Sequence, residues 1–216
     1  MSTTGGTRAL PGLLDPHAAM RGQIQDLATR FAGMVSAETV ERMVLESYTA
    51  LARTATVTAH LPVLACRFAT DRLTALAQAK GVLAKEQPEV LFVCVHNAGR
   101  SQIAAAYLEQ LSQGRVHVRS AGSTPAGDVD PGVTAALAEV GLSTTEAFPK
   151  PLTDDVVQAA DVVVTMGCGD SCPVYPGKRY LDWDVADPAG RSPEDVRAVR
   201  DDIAARVRSL LAELDA

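Results

Sequence analysis

The chain has 216 residues, 47% of them hydrophobic, with a formal net charge of −6. That is apolar material for one large or two small cores, and there is no dense cationic cluster of the kind that holds a nucleic-acid backbone. No stretch approaches the roughly 18 uninterrupted apolar residues of a membrane span, and the N-terminus lacks a basic patch followed by an apolar segment. A cytoplasmic location is therefore expected, with neither membrane nor nucleic acid as a partner.

Residues 1–15, rich in Ser, Thr, Gly and Pro, read as a mobile N-terminus. Met20, Ile24, Leu27, Phe31 and Met34 recur at helical spacing and predict a first helix ending near Gly33. Ser36 reads as an N-cap, with Glu38 in the first turn of a second helix whose inward stripe is Val40, Met43, Val44, Ser47 and Leu51. A third helix opens with Pro62 at its first position and runs through Leu64, Phe68, Leu73 and Leu76 to a stop at Gly81. Three amphipathic helices on short connections predict an antiparallel bundle, a separate all-α domain over residues 16–82. Within it Cys66 reads as a packed core thiol and His60 as a residue at the helix start. Residues 83–88 are the expected linker, ending in Pro88.

From Val90 an apolar run reads as a buried strand, and it delivers Cys94-Val95-His96-Asn97-Ala98-Gly99-Arg100-Ser101 ahead of an amphipathic helix. A Cys-x5-Arg-Ser loop of this spacing wraps the backbone N–H groups of Val95, His96, Asn97, Ala98, Gly99 and Arg100 around a tetrahedral oxyanion. The Arg100 guanidinium then completes the cradle. The helix N-terminus, Arg100 and the Ser101 hydroxyl all favour a Cys94 thiolate over the thiol, which makes Cys94 a candidate nucleophile. A small buried cysteine at a strand end is the bland alternative; strand, loop and helix occurring together argue against it.

The helix after the loop is expected over residues 101–112, with Ile103, Ala104, Tyr107, Leu108 and Leu111 inward and a stop at Gly114. Val116-His117-Val118 reads as a second strand, and Ser120-Ala121-Gly122-Ser123 as a tight loop reaching back under the anion loop. Asp130-Pro131 caps a helix closed by Gly141, and Thr153 caps a short one ending at Ala160. Asp161 to Met166, rich in β-branched residues, is the mark of a strand buried on both faces. Lys178 to Trp183 can form another strand. Ser192-Pro193 opens a last helix carrying Val196, Val199, Ile203, Val207, Leu210 and Leu214. This alternation predicts an α/β domain over residues 89–216: a parallel four-stranded sheet with helices on both faces and its active loops at the carboxyl ends of the strands.

Four cysteines, Cys66, Cys94, Cys168 and Cys172, are too few for a secreted disulfide scaffold. Cys168 and Cys172 share a Gly-, Asp- and Pro-containing loop after the buried strand. Zinc would need four ligands that are not at hand, so no metal is expected, and a reducing cytoplasm disfavours a structural disulfide. A dithiol relay fits the spacing, with an oxidising equivalent passed from Cys94 to Cys168 to Cys172 by thiolate attack. A thiolate attacking an oxyanion needs its leaving oxygen protonated. Asp187, followed by Pro188, is the best-placed acid, with Asp182 and Asp184 as neighbours that spacing alone does not exclude. Tyr180 and Trp183 read as packing residues.

On these residues the segment from about 89 to 214 resembles the low-molecular-weight tyrosine phosphatase superfamily and, within it, the arsenate reductases that share the fold. The matching positions are Cys94, Asn97, Arg100 and Ser101, then Ser120-Ala121-Gly122, and Asp187-Pro188. The loop from Thr165 to Pro173 with Pro176-Gly177-Lys178-Arg179-Tyr180 is similar to the actinobacterial reductase branch, some members of which carry a helical N-terminal extension. Ala189 and Gly190 stand where phosphatases usually carry an aromatic residue, which speaks against phosphotyrosine. Ala105 stands where some relatives bind potassium through an acid, so no such ion is expected.

The resemblance implies that Cys94 attacks arsenate with Asp187 as acid, after which Cys168 and Cys172 pass on the disulfide to thioredoxin. No bound cofactor is implied. The alternatives are a donor pair of mycothiol and mycoredoxin, hydrolysis of small phosphoesters, and an oxyanion or redox sensor read out by the bundle. The bundle itself reads as a stabilising module or one for homo-oligomer formation.

Overall fold

Three helices precede a four-stranded sheet in the computed structural model, which describes residues 15–56, 58–167 and 172–215. The N-terminal stretch expected to be mobile lies, apart from Asp15, outside the described residues. In chain order the elements are α1 (Pro16–Arg30), α2 (Ala37–Ala52), α3 (Leu61–Ala79), β1 (Glu89–Cys94), α4 (Arg100–Ser112), β2 (His117–Gly122), α5 (Pro131–Ala138), α6 (Asp154–Ala159), β3 (Val162–Met166), β4 (Arg179–Asp182) and α7 (Pro193–Leu214). The caps explain several boundaries. Side-chain oxygens of Asp15, Ser36, Asp130 and Ser192 accept N–H bonds from the first turns of α1, α2, α5 and α7, satisfying donors that a helix start leaves orphaned. Pro62 is the second residue of α3 rather than the first, and Thr153 makes no cap bond.

The strands lie in the order β2-β1-β3-β4 with every pairing parallel. β1 and β3 are therefore central, which is why both read as near-continuous apolar runs. Alternation along β1 serves two cores. Val90, Phe92 and Cys94 face a cluster with Ile103, Leu108, Val164, Met166, Ile203 and Val207 beneath α4, α5 and α7. Leu91 and Val93 face Val163, Val156 and Val157 beneath α6, joined there by Ala75 of α3.

Residues 120–122 extend the second strand instead of forming the expected loop. Ser120, Ala121 and Gly122 pair with Phe92, Val93 and Cys94, so parallel pairing along β1 overrides the small-residue composition. The expected reach survives: the Gly122 N–H donates to Lys150 O, and the N–H groups after it meet the anion loop.

The three helices pack around Met20, Val40, Met43, Val44, Phe68 and Leu73, and polar contacts tie them to the sheet. Arg72 of α3, largely buried, donates to Asp155 of α6 and to Ser47. Arg119 of β2 donates to the Asp71 carbonyl at 2.9 Å and to Glu89, in an ion pair whose side chains are 5% and 1% exposed. Among the described residues no helix is long and apolar enough to cross a membrane.

Candidate functional site

At the carboxyl end of β1 the chain turns through residues 95–99 before α4 begins. The N–H groups of Ser123, Thr124, Ala126 and Asp130 donate to the carbonyls of Cys94, Val95, His96 and Ala98, which pins those carbonyls to the outside of the turn. In a trans peptide the C=O and the following N–H point opposite ways. The N–H groups of Val95, His96, Asn97 and Gly99 therefore face the concave side, and that of Asn97 meets the Cys94 sulfur at 3.2 Å.

Asn97 holds the turn in the left-handed region, φ +48°, a conformation that asparagine tolerates better than most residues. Its fully buried side chain is fixed at both ends. Oδ1 accepts from the Lys150 backbone N–H at 2.8 Å, and Nδ2 donates to Ser101 Oγ at 2.8 Å. With its oxygen accepting from Asn97, Ser101 is free to donate its own hydrogen to Cys94 Sγ, 3.0 Å away. Backbone geometry at residue 150 thus sets a hydroxyl donor on the thiol.

Arg100, buried at the first position of α4, donates through Nη2 to Asp187 Oδ2 at 2.8 Å and through Nη1 to Val185 O at 3.5 Å. Cys94, His96, Ala98, Gly99, Arg100, Asp130 and Asp187 line one pocket with a volume of about 30 Å³. Asp182, which accepts from Thr165, and the exposed Asp184 are not among its walls, so of the three candidate acids the fold brings Asp187 to Cys94. A side chain on Gly99 would meet Pro188 Cγ at 2.8 Å; glycine lets the Asp187-Pro188 segment close down on the anion loop.

The expected set is therefore partly assembled. Cys94, Arg100, Ser101 and Asp187 come together, and His96, Ala98 and Gly99 line the pocket. Val95 and Asn97 form the loop behind it. Cys172 does not line it: this half-buried thiol packs with Leu152, Tyr175 and Tyr180 against the other face of the sheet. The Tyr180 hydroxyl staples the same segment, accepting from the Tyr175 N–H and donating to the Pro173 carbonyl. Cys168 lies outside the described residues. Cys66 is half-buried, and burial pushes its pKa up. No group of three or more His, Cys, Asp or Glu able to hold a metal occurs among the described residues.

The pattern of residues did not reveal Gln102, whose Nε2 donates to the carbonyls of Asn97 and Phe148. Nor did it reveal the brace outside the turn. There the Thr54 hydroxyl donates to Ala126 O, and Thr56 donates to Asp128 Oδ2 at 2.7 Å, so the α2–α3 connection leans on residues that hold the anion-loop carbonyls.

Residues 89–216 match the family model for low molecular weight phosphotyrosine protein phosphatase, and residues 20–77 that for the N-terminal domain of protein-tyrosine-phosphatase-like proteins. The solved structure of a thioredoxin-dependent arsenate reductase from Corynebacterium glutamicum is 49% identical, with a TM-score of 0.85 over 92% of this chain and 98% of that one. A glutaredoxin arsenate reductase of Synechocystis is 33% identical over 58% of this chain and 98% of its own length. An arsenate reductase of Bacillus cereus is 34% identical over 55% and 90%.

Proposed function

The chain belongs to the low molecular weight phosphotyrosine protein phosphatase family, and on that premise we propose that it reduces arsenate to arsenite with thioredoxin as electron donor. One observation carries the reading: thiol, guanidinium and carboxyl of Cys94, Arg100 and Asp187 share one pocket in a chain similar along both its parts to a thioredoxin-dependent reductase.

In this mechanism an oxyanion and the Asp187 carboxylate compete for Arg100. Arsenate takes the guanidinium and the inward N–H groups, and Asp187, released and protonated, becomes the acid. The Cys94 thiolate attacks arsenic, an As–O bond breaks and water leaves with the Asp187 proton. The Cys168 thiolate then attacks Cys94 Sγ; the S–As bond breaks, its electron pair stays on arsenic and arsenite departs. Cys172 attacks Cys168, freeing Cys94 and leaving a Cys168–Cys172 disulfide that the thioredoxin dithiol reduces.

The test is NADPH consumption with thioredoxin, thioredoxin reductase and arsenate, comparing wild type with Cys172→Ser. Turnover lost in the variant supports the three-thiol relay. If only mycothiol with mycoredoxin sustains turnover, the donor assignment falls. Silence with both donors, alongside phosphoester hydrolysis that survives Cys168→Ser, overturns the reductase reading.

A further inference from the structure

Between α1, α3 and α4 lies a cavity of about 530 Å³ that shares no lining residue with the pocket at Cys94. Its walls combine cations with an aromatic ring: Arg30 from α1, Arg67 from α3, Arg119 of β2, already paired with Glu89, and Lys150 from the segment before α6, with Phe148 beneath Arg67 and Lys150. Glu109 of α4 and Asp71 of α3 lie on the same walls.

Two of the other cations are already spoken for in different degrees. The Arg67 guanidinium pairs with Glu146 at 2.8 Å and sits over Phe148. The Lys150 ammonium also lies over Phe148, 4.7 Å from the ring centre, but no carboxylate reaches ion-pair distance from it among the described residues. Burial pushes the Lys150 pKa down, with Asp71 and Glu109 acting against that from a distance; burial pushes Glu109 up, with Lys150 opposing. The half-buried Lys150 side chain thus presents its ammonium to the cavity with a ring face but no ion-pair partner, and an anionic ligand would supply that partner.

We infer that this cavity is a second binding site, for a small organic anion bearing hydroxyl groups, with its carboxylate or phosphate head on Lys150 and its hydroxyls toward Glu109 and Asp71. The volume takes a ligand of sugar-acid or sugar-phosphate size, well beyond a bare oxyanion. Its occupant leans on the residues that shape the anion loop. Lys150 donates its backbone N–H to Asn97, while Gln102, also a cavity wall, ties Asn97 O to Phe148 O at 2.9 and 3.3 Å. Binding in the cavity and oxyanion binding at the loop are thereby coupled, reciprocally and by the same factor. The inference is independent of which reaction Cys94 performs.

Gluconate and glucose 6-phosphate are the probes, sharing a hydroxylated body and differing in the head. Each is titrated calorimetrically into the whole chain carrying Arg100→Gln, so that the loop at Cys94 no longer competes for the head group. One probe molecule per chain is expected, with Lys150→Gln and Arg67→Gln each weakening it tenfold or more. The partly exposed Arg67 carries the test should the Lys150 variant not fold. Binding of gluconate alone assigns a carboxylate head, of glucose 6-phosphate alone a phosphate head. No heat with either probe, or binding that both substitutions leave unchanged, overturns the site. Phosphate affinity at the loop of the unsubstituted chain that is identical with and without bound probe overturns the coupling.

Discussion

Asn97→Ala tests the account of the anion loop at its most buried point. The substitution forces alanine into a left-handed conformation, φ +48°, at a cost of roughly 1–2 kcal/mol. It also strips partners from the Lys150 N–H and Ser101 Oγ, both 2.8 Å away. Abandoning a buried polar group costs about 1–3 kcal/mol, so the whole loss is about 4 kcal/mol, a large fraction of the roughly 5–15 kcal/mol of a folded domain. Urea denaturation measures it, and Asn97→Gly separates the two parts by restoring about 1 kcal/mol of backbone freedom without the hydrogen bonds. Asn97→Asp keeps the acceptor for Lys150 but replaces the donor to Ser101. The Ser101 hydroxyl then turns from Cys94 to the new carboxylate, and turnover drops by about tenfold, the equivalent of one hydrogen bond to sulfur. Equal stability of the Ala and Gly variants would refute the strain argument. A loss below about 1 kcal/mol for Asn97→Ala would refute the hydrogen-bond argument.

Asp187→Asn removes both the acid and the competitor for Arg100. Turnover is expected to fall by about 10²–10⁴-fold while inorganic phosphate binds more tightly by calorimetry; weaker phosphate binding would contradict the competition. A Cβ at Gly127 would run into the Thr54 carbonyl, so Gly127→Ala should cost about 1–3 kcal/mol and loosen phosphate binding, because Ala126 and its neighbours hold the loop carbonyls; unchanged phosphate affinity would sever the helical brace from the site. Burial raises the Asp155 pKa more than Arg72 lowers it. A carboxyl that holds its proton more tightly when folded adds stability below its unfolded pKa of about 3.9, and that contribution is lost as pH rises through the folded value. Asp155→Asn should flatten this decline in urea titrations from acid to neutral pH, and a steeper decline would reverse the assigned sign.

Much of the site was legible because its chemistry is local. Cys94, Arg100 and Ser101 lie within one turn and the first residues of one helix, and the apolar run of β1 announces a strand central to the sheet. Asp187 was legible only as one of three aspartates; tertiary placement, which spacing does not encode, separates it from Asp182 and Asp184. The second face of α3 was hidden for another reason. Ala75, fully buried against the strands, carries too little hydrophobic weight as an alanine to mark a second stripe beside Leu64, Phe68, Leu73 and Leu76. Small residues at a close helix contact therefore read as surface. The cavity was invisible for want of any local pattern, since Arg30, Arg67, Glu109 and Lys150 meet only through the docking of the helices on the sheet.

That docking bears on how the chain comes apart. Phe68 and Leu73 of α3 belong to the helical cluster, whereas Ala75, barely a turn away, closes the cluster with Leu91, Val93 and Val163. Melting α3 would therefore uncover the flank of the strand that carries Cys94. On these shared contacts the helices and the sheet are expected to melt together, so calorimetry should show a single transition, and a protease should find residues 83–88 a poor place to cut the chain into two surviving folds.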